Sequence, residues 1–154
     1  MLRPLILATA LAACGTDAQN VYTEQHDATN NSNVGGTPEP TGLTLGATGS
    51  IVIDGVIDNT HFDTESLDYD AYTFTVSAEA IGTLTIGPAD AGTSVALLRA
   101  TIIDSTSFGI GHAKFGTPGQ IDLPPGTYKL EVEAQNPTEI AASHPYSVEI
   151  AAAP

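Results

Sequence analysis

The chain is poor in cysteine, in basic residues and in aromatics, and each shortage removes a class of function. Its 154 residues include one cysteine, no tryptophan, and four Lys and Arg against 18 Asp and Glu, a formal net charge of −14. A single cysteine excludes an intramolecular disulfide and every multi-cysteine metal motif, so one hydrophobic core has to hold the fold. With so few cations there is no basic patch to displace counterions from a phosphate backbone, and nucleic-acid binding is excluded. The histidines His26, His61, His112 and His144 show neither H-x₃-H nor H-E-x-x-H spacing. Zinc is therefore unsupported, and these histidines are expected to be exposed. There is no G-x-S-x-G nucleophile elbow. The lack of tryptophan leaves few flat rings for a sugar platform. No apolar run reaches the ~20 residues that a helix needs to cross a bilayer.

What is present begins at the amino terminus. Arg3 precedes a short apolar run, Leu5 to Ala13, which stops at Cys14. A basic start, a short apolar stretch and small residues have the pattern of a secretory signal. Leu11-Ala12-Ala13-Cys14 resembles the lipobox of bacterial lipoproteins. The resemblance implies cleavage of a 1–13 signal peptide, acylation of Cys14 with palmitate-type chains, and firm attachment to the bacterial membrane. Gly15 rather than Asp after the cysteine favours the outer membrane in that family. Loss of residues 1–13 removes Arg3 and no acid, so the processed chain is one unit more negative. Such a surface stays soluble and attracts cations, Ca²⁺ among them.

Gly15 to Thr41 is rich in Asn, Thr, Gly and Pro and has hardly an apolar residue. The expectation is a flexible tether, residues 14–42 with the acylated cysteine, ahead of one domain over 43–154. At ~5–6 Å × √n the tether would hold the domain roughly 25–30 Å from the membrane. From Leu43 onward the period is two. Tyr72, Phe74 and Val76 alternate with Thr and Ser, as do Leu84 with Ile86, Tyr128 with Leu130 and Val132, and Tyr146 with Val148 and Ile150. This is the pattern of half-buried strands. Ile51, Ile53 and Ile57 mark an earlier strand. Val95 to Ile103 reads as a strand buried on both faces, with Arg99 at its rim. Asp54-Gly55, Gly87-Pro88, Gly116 to Gly119, Pro124 to Gly126 and Asn136-Pro137 read as turns. The fold class is all-β, an antiparallel β-sandwich of jelly-roll type, with a closed barrel as the second architecture.

Three stretches then resemble the bacterial pre-peptidase C-terminal (PPC) domain. They are Asp68-Tyr69-Asp70-Ala71-Tyr72-Thr73-Phe74-Thr75-Val76, Ile121-Asp122-Leu123-Pro124-Pro125-Gly126-Thr127-Tyr128-Lys129-Leu130-Glu131-Val132, and Pro145-Tyr146-Ser147-Val148-Glu149-Ile150. The resemblance spans roughly Leu43 to Ala151. It implies a sandwich that accompanies exported proteins and in some members binds Ca²⁺ or a substrate polymer. The chain departs from the family in its middle strand, Ser94 to Ala100, which lacks the usual Asp-Gly turn, and in carrying no peptidase.

The densest acidic stretch is Asp54, Asp58, Asp63, Glu65, Asp68 and Asp70. Carboxylates on a flexible loop suit Ca²⁺, although no EF-hand spacing is present. Asp68 and Asp70, then Asp63 and Glu65, are the candidate Ca²⁺ ligands. The competing reading is a solvated loop in which Asp68 and Asp70 bind nearby backbone. Gly109 to Gly116 lacks phosphate-loop spacing and reads as a Gly-rich loop between strands. Phe62, Tyr69, Phe108 and Phe115 fall near loops and are candidates for an exposed patch. The functional expectation is a non-catalytic binding module, with Ca²⁺ as possible ligand and an envelope protein or extracellular polymer as partner. A structural envelope protein is the alternative, and a hydrolase a distant third.

Overall fold

A computed structural model describes residues 20–25, 37–58, 68–90, 97–135 and 143–153. Every regular element among them is a strand: β1 (Asn20–Thr23), β2 (Glu39–Leu45), β3 (Gly49–Asp58), β4 (Tyr69–Val76), β5 (Ala80–Pro88), β6 (Leu98–Ile103), β7 (Gly109–Lys114), β8 (Gly119–Leu123), β9 (Gly126–Ala134) and β10 (Ser143–Ala152). They form two five-stranded sheets, β1-β3-β10-β5-β8 and β2-β4-β9-β6-β7. The sheets pack face to face, and the alternating apolar residues fill the space between them. Ile51, Ile53, Leu84, Val148 and Ile150 from the first sheet meet Tyr72, Phe74, Leu98, Ile102, Leu130 and Val132 from the second in one buried cluster. At roughly 1.5–3 kcal/mol for each large apolar side chain removed from water, this layer supplies most of the stabilisation.

Short connections stitch the two sheets at one pole. Leu45 leads through 46–48 to Gly49, Val76 through 77–79 to Ala80, and Leu123 through Pro124-Pro125 to Gly126. The β6–β7 turn, Asp104 to Phe108, lies at this pole too. Tyr128 closes part of it by donating from its hydroxyl to the Pro124 carbonyl at 2.7 Å and stacking on Phe74. The ends of β3, β5 and β9 and the β7–β8 turn lie at the opposite pole.

The sandwich is confirmed, with five corrections to the expected detail. The tether is not wholly outside the fold: Asn20–Thr23 pairs in parallel with β3, and Glu39–Leu45 pairs in parallel with β4, so the domain takes in residues before Leu43. Both are edge strands with few apolar side chains on the core side, and so escape a hydrophobicity reading. Only Tyr22 of β1 packs against the core. In β2, Gly42 at φ 70° gives the irregularity between Pro40 and Thr44, where Thr41 Oγ1 donates to the Thr73 carbonyl at 2.8 Å. These two edges also make the sheets mixed rather than purely antiparallel. Asp54-Gly55 and Gly87-Pro88 are no turns, because β3 runs through the first to Asp58 and β5 through the second to Pro88. The Leu98–Ile103 strand alternates buried and half-buried residues, so only one of its faces is in the core, and Arg99 lies on the other. Finally, Gly109–Lys114 of the Gly-rich segment is strand β7, its glycines allowing close approach: a side chain on Gly111 would collide with Ile121.

Candidate functional site

Cys14, Asp63 and Glu65, together with His26, His61 and Phe62, lie outside the described residues. Asp68 and Asp70 are described and face inward. Asp68 is buried and accepts the Tyr69 backbone N–H at 3.0 Å through Oδ1. Asp70, the second residue of β4, is fully buried. Its Oδ2 accepts the Tyr146 hydroxyl at 2.6 Å, and the Tyr146 and Tyr72 hydroxyls are 2.8 Å apart. The carboxyl of Glu24, just past β1, bears on Asp70 and favours its protonated form. Burial above all, then the charges of Glu24 and Asp68, pushes the Asp70 carboxyl up to about 9. Burial likewise raises Tyr72 and Tyr146 far above the ordinary phenol range.

This cluster fastens β1 to the sandwich. Glu24 Oε2 accepts the Val56 N–H at 2.9 Å, and the Glu24 N–H donates to the Asp54 carbonyl at 2.8 Å. The Tyr22 hydroxyl donates to buried Glu39, and its ring meets Tyr72 edge-on at 6.2 Å. β3 passes over the two tyrosine hydroxyls as Gly55, where any side chain would strike both. The residue pattern is that of an internal polar network. Among the described residues, no group of three or more His, Cys, Asp or Glu side chains is placed to hold a metal ion.

Every Lys and Arg after Arg3 lies on the outer face of the β2-β4-β9-β6-β7 sheet, where Arg99 is paired across strands and Lys129 along its own strand. In register, Tyr69, Glu133, Arg99 and Lys114 form one row across four strands. Arg99 pairs with Glu133, and Lys129 with Glu131 at 2.5 Å. A shallow recess of about 240 Å³ lies between β6 and β7, lined by Arg99, Thr101, His112 and Lys114 among others. Its guanidinium is already held by Glu133, which leaves exposed Lys114 as its other cation. His144 is half-buried rather than exposed. Phe108 and Phe115 are exposed, but they sit at opposite ends of β7, and Tyr69 is half-buried, so these three rings make no common patch.

The other sheet presents a different outer face. Alternation puts Val52 and Asp54 of β3, Ser147 and Glu149 of β10, Ile81, Thr83 and Thr85 of β5, and Gln120 and Asp122 of β8 on it, with Val21 of β1 beside Val52. It carries no Lys or Arg, because all those after Arg3 are in the other sheet. Val21 and Ile81 are 48% and 61% exposed. The face is therefore anionic and apolar in places. The outward positions of β5 and β10 were readable from alternation, but not that these strands share a sheet with β1, β3 and β8.

No protein-family model matches the chain, and no curated protein matches it. Among solved structures it is similar to PliG of Aeromonas hydrophila, a periplasmic inhibitor of g-type lysozyme, at 16% identity over 75% of this chain and 98% of that one, with a TM-score of 0.49. It is also similar to the pre-peptidase C-terminal domain of the Bacillus anthracis collagenase, at 14% identity over 74% and 97%, TM-score 0.48. A third similar structure is PliG of Salmonella Typhimurium, at 21% identity over 72% and 98%, TM-score 0.42. At these identities and scores the likeness is one of chain course and bears on neither ligand nor mechanism.

Proposed function

We propose that the chain is an exported, non-catalytic binding module, held to a bacterial membrane through acylated Cys14, which engages a basic protein of the cell envelope through the outer face of the β1-β3-β10-β5-β8 sheet. The observation that carries this reading is the segregation of charge. That face shows Asp54, Asp122 and Glu149 with no Lys or Arg, whereas the cations of the opposite face stand beside Glu131 and Glu133. A net charge of −14 steers basic partners toward the molecule and repels acidic ones. Exposed Val21 and Ile81 supply apolar contact at the two sides of the face.

The test is binding of the folded chain to purified basic and acidic proteins of similar size, measured across a salt series. The expected result is binding to the basic set alone, weakening as salt rises, and loss of that binding in the Asp54→Lys/Glu149→Lys double variant. Charge reversal on the opposite face, Glu131→Lys, should matter little. Equal binding to both sets, or binding indifferent to Asp54 and Glu149, would refute the reading.

A further inference from the structure

We propose that the pole formed by the 46–48, 77–79, 104–108 and 124–125 connections rests on the bilayer that holds Cys14, with Phe108 as its lipid contact. The inference rests on acylation of Cys14. Asn20 follows that cysteine by six positions, and six Cα steps reach at most ~20 Å. Asn20 is in register with Ile51, two residues from the start of β3, and β1 runs parallel to it. The chain therefore joins the sandwich at the pole where Gly49 begins β3. The ten residues of β3 put the opposite pole roughly 30 Å further away. With β1 docked, the leash is shorter than the domain, and the stitched pole is the one kept at the membrane.

That pole offers a suitable contact. Phe108 is 69% exposed where the β6–β7 turn meets β7. The turn is locked by one carboxylate oxygen: Asp104 Oδ1 accepts the Thr106 N–H at 2.8 Å, the Thr106 hydroxyl at 2.7 Å and the Phe108 N–H at 3.0 Å. Asp104 N–H also donates to the Phe108 carbonyl at 3.0 Å. The backbone that carries the ring is thus held in place before it meets a partner, and little backbone ordering entropy is lost on contact. An aromatic ring at the headgroup boundary is a favourable placement. Glu79, Asp104 and Asp122 lie at the same pole, so zwitterionic headgroups suit it better than anionic ones. Phe115, 51% exposed at the other end of β7, faces away from the membrane.

The experiment uses the processed, membrane-bound chain in phosphatidylcholine–phosphatidylethanolamine vesicles. Cys14 is the only native cysteine, so Ser105→Cys near Phe108 and Asp90→Cys at the far pole each introduce one site for a fluorophore. Quenching by lipids with nitroxide-labelled headgroups then reports proximity. The expected result is several-fold stronger quenching at position 105 than at 90, reduced by Phe108→Glu. Equal quenching at both sites, or stronger quenching at 90, would overturn the orientation while leaving acylation intact. Failure to incorporate labelled palmitate, or a Cys14→Ser chain that still sediments with membranes, would overturn both.

Discussion

The Asp70 carboxyl is the most consequential single group in the fold. It is buried, bonded to Tyr146 and faced by Glu24, with Asp68 and the Tyr72 hydroxyl close by. Its folded-state affinity for a proton, raised to about 9, exceeds that of an ordinary Asp. Between the ordinary carboxylate range and pH about 9 the folded state thus holds a proton that the unfolded chain has released. Linkage then requires stability to be highest below the unfolded value and to fall as pH rises toward 9. The melting temperature should decline across that window, and Asp70→Asn, which cannot ionise, should flatten the decline. Tyr146→Phe leaves Asp70 Oδ2 without its donor and should cost about 1–3 kcal/mol in denaturant titrations. A Ca²⁺ ion on Asp70 would have to displace both the proton and the Tyr146 bond, so melting should be the same in EDTA and in millimolar Ca²⁺. Gly55→Ala should destabilise by about 1–3 kcal/mol, because the new methyl meets both tyrosine hydroxyls. Gly87→Ala, with open space around it, is the control and should change little.

At the scale of elements, the edge strands separate what the sequence discloses from what it conceals. Central strands such as β4, β9 and β10 bury one face completely, so Tyr72, Phe74, Leu130 and Val148 announce them by strict alternation. β1 has only Tyr22 on the core side, and β2 carries Pro40 and Gly42 within its span, so both look like linker. The Gly109-Ile110-Gly111 start of β7 hides a strand for a related reason: glycine there serves close packing against β8. The acid–tyrosine cluster was half legible. Asp68, Asp70, Tyr72 and Tyr146 stood out in the alternating motifs, but Glu24 lay in the supposed tether, and no local pattern links residues so far apart. Deleting residues 20–25 should uncover the β3 edge and lower stability measurably in denaturant titration. The same deletion should promote association through that edge, visible by light scattering. Unchanged stability would mean that β1 contributes nothing to the fold.

At the scale of the whole molecule, the proposed anchoring pole adjoins the proposed binding face. The stitched connections and the start of β1 define one end, and an anionic sheet surface extends along the molecule from it. Charge segregation between the two sheets makes that surface distinct, since Arg99, Lys114 and Lys129 all lie on the opposite sheet. At 15.8 kDa the chain suits residue-by-residue NMR mapping, and the most direct measurement is the set of amide shifts perturbed by a bound basic protein. Perturbations are predicted at Val21, Val52, Ile81, Thr85 and Glu149, fading as salt is added. Shifts concentrated instead at Arg99, His112 and Lys114, or no shifts at all, would contradict the account.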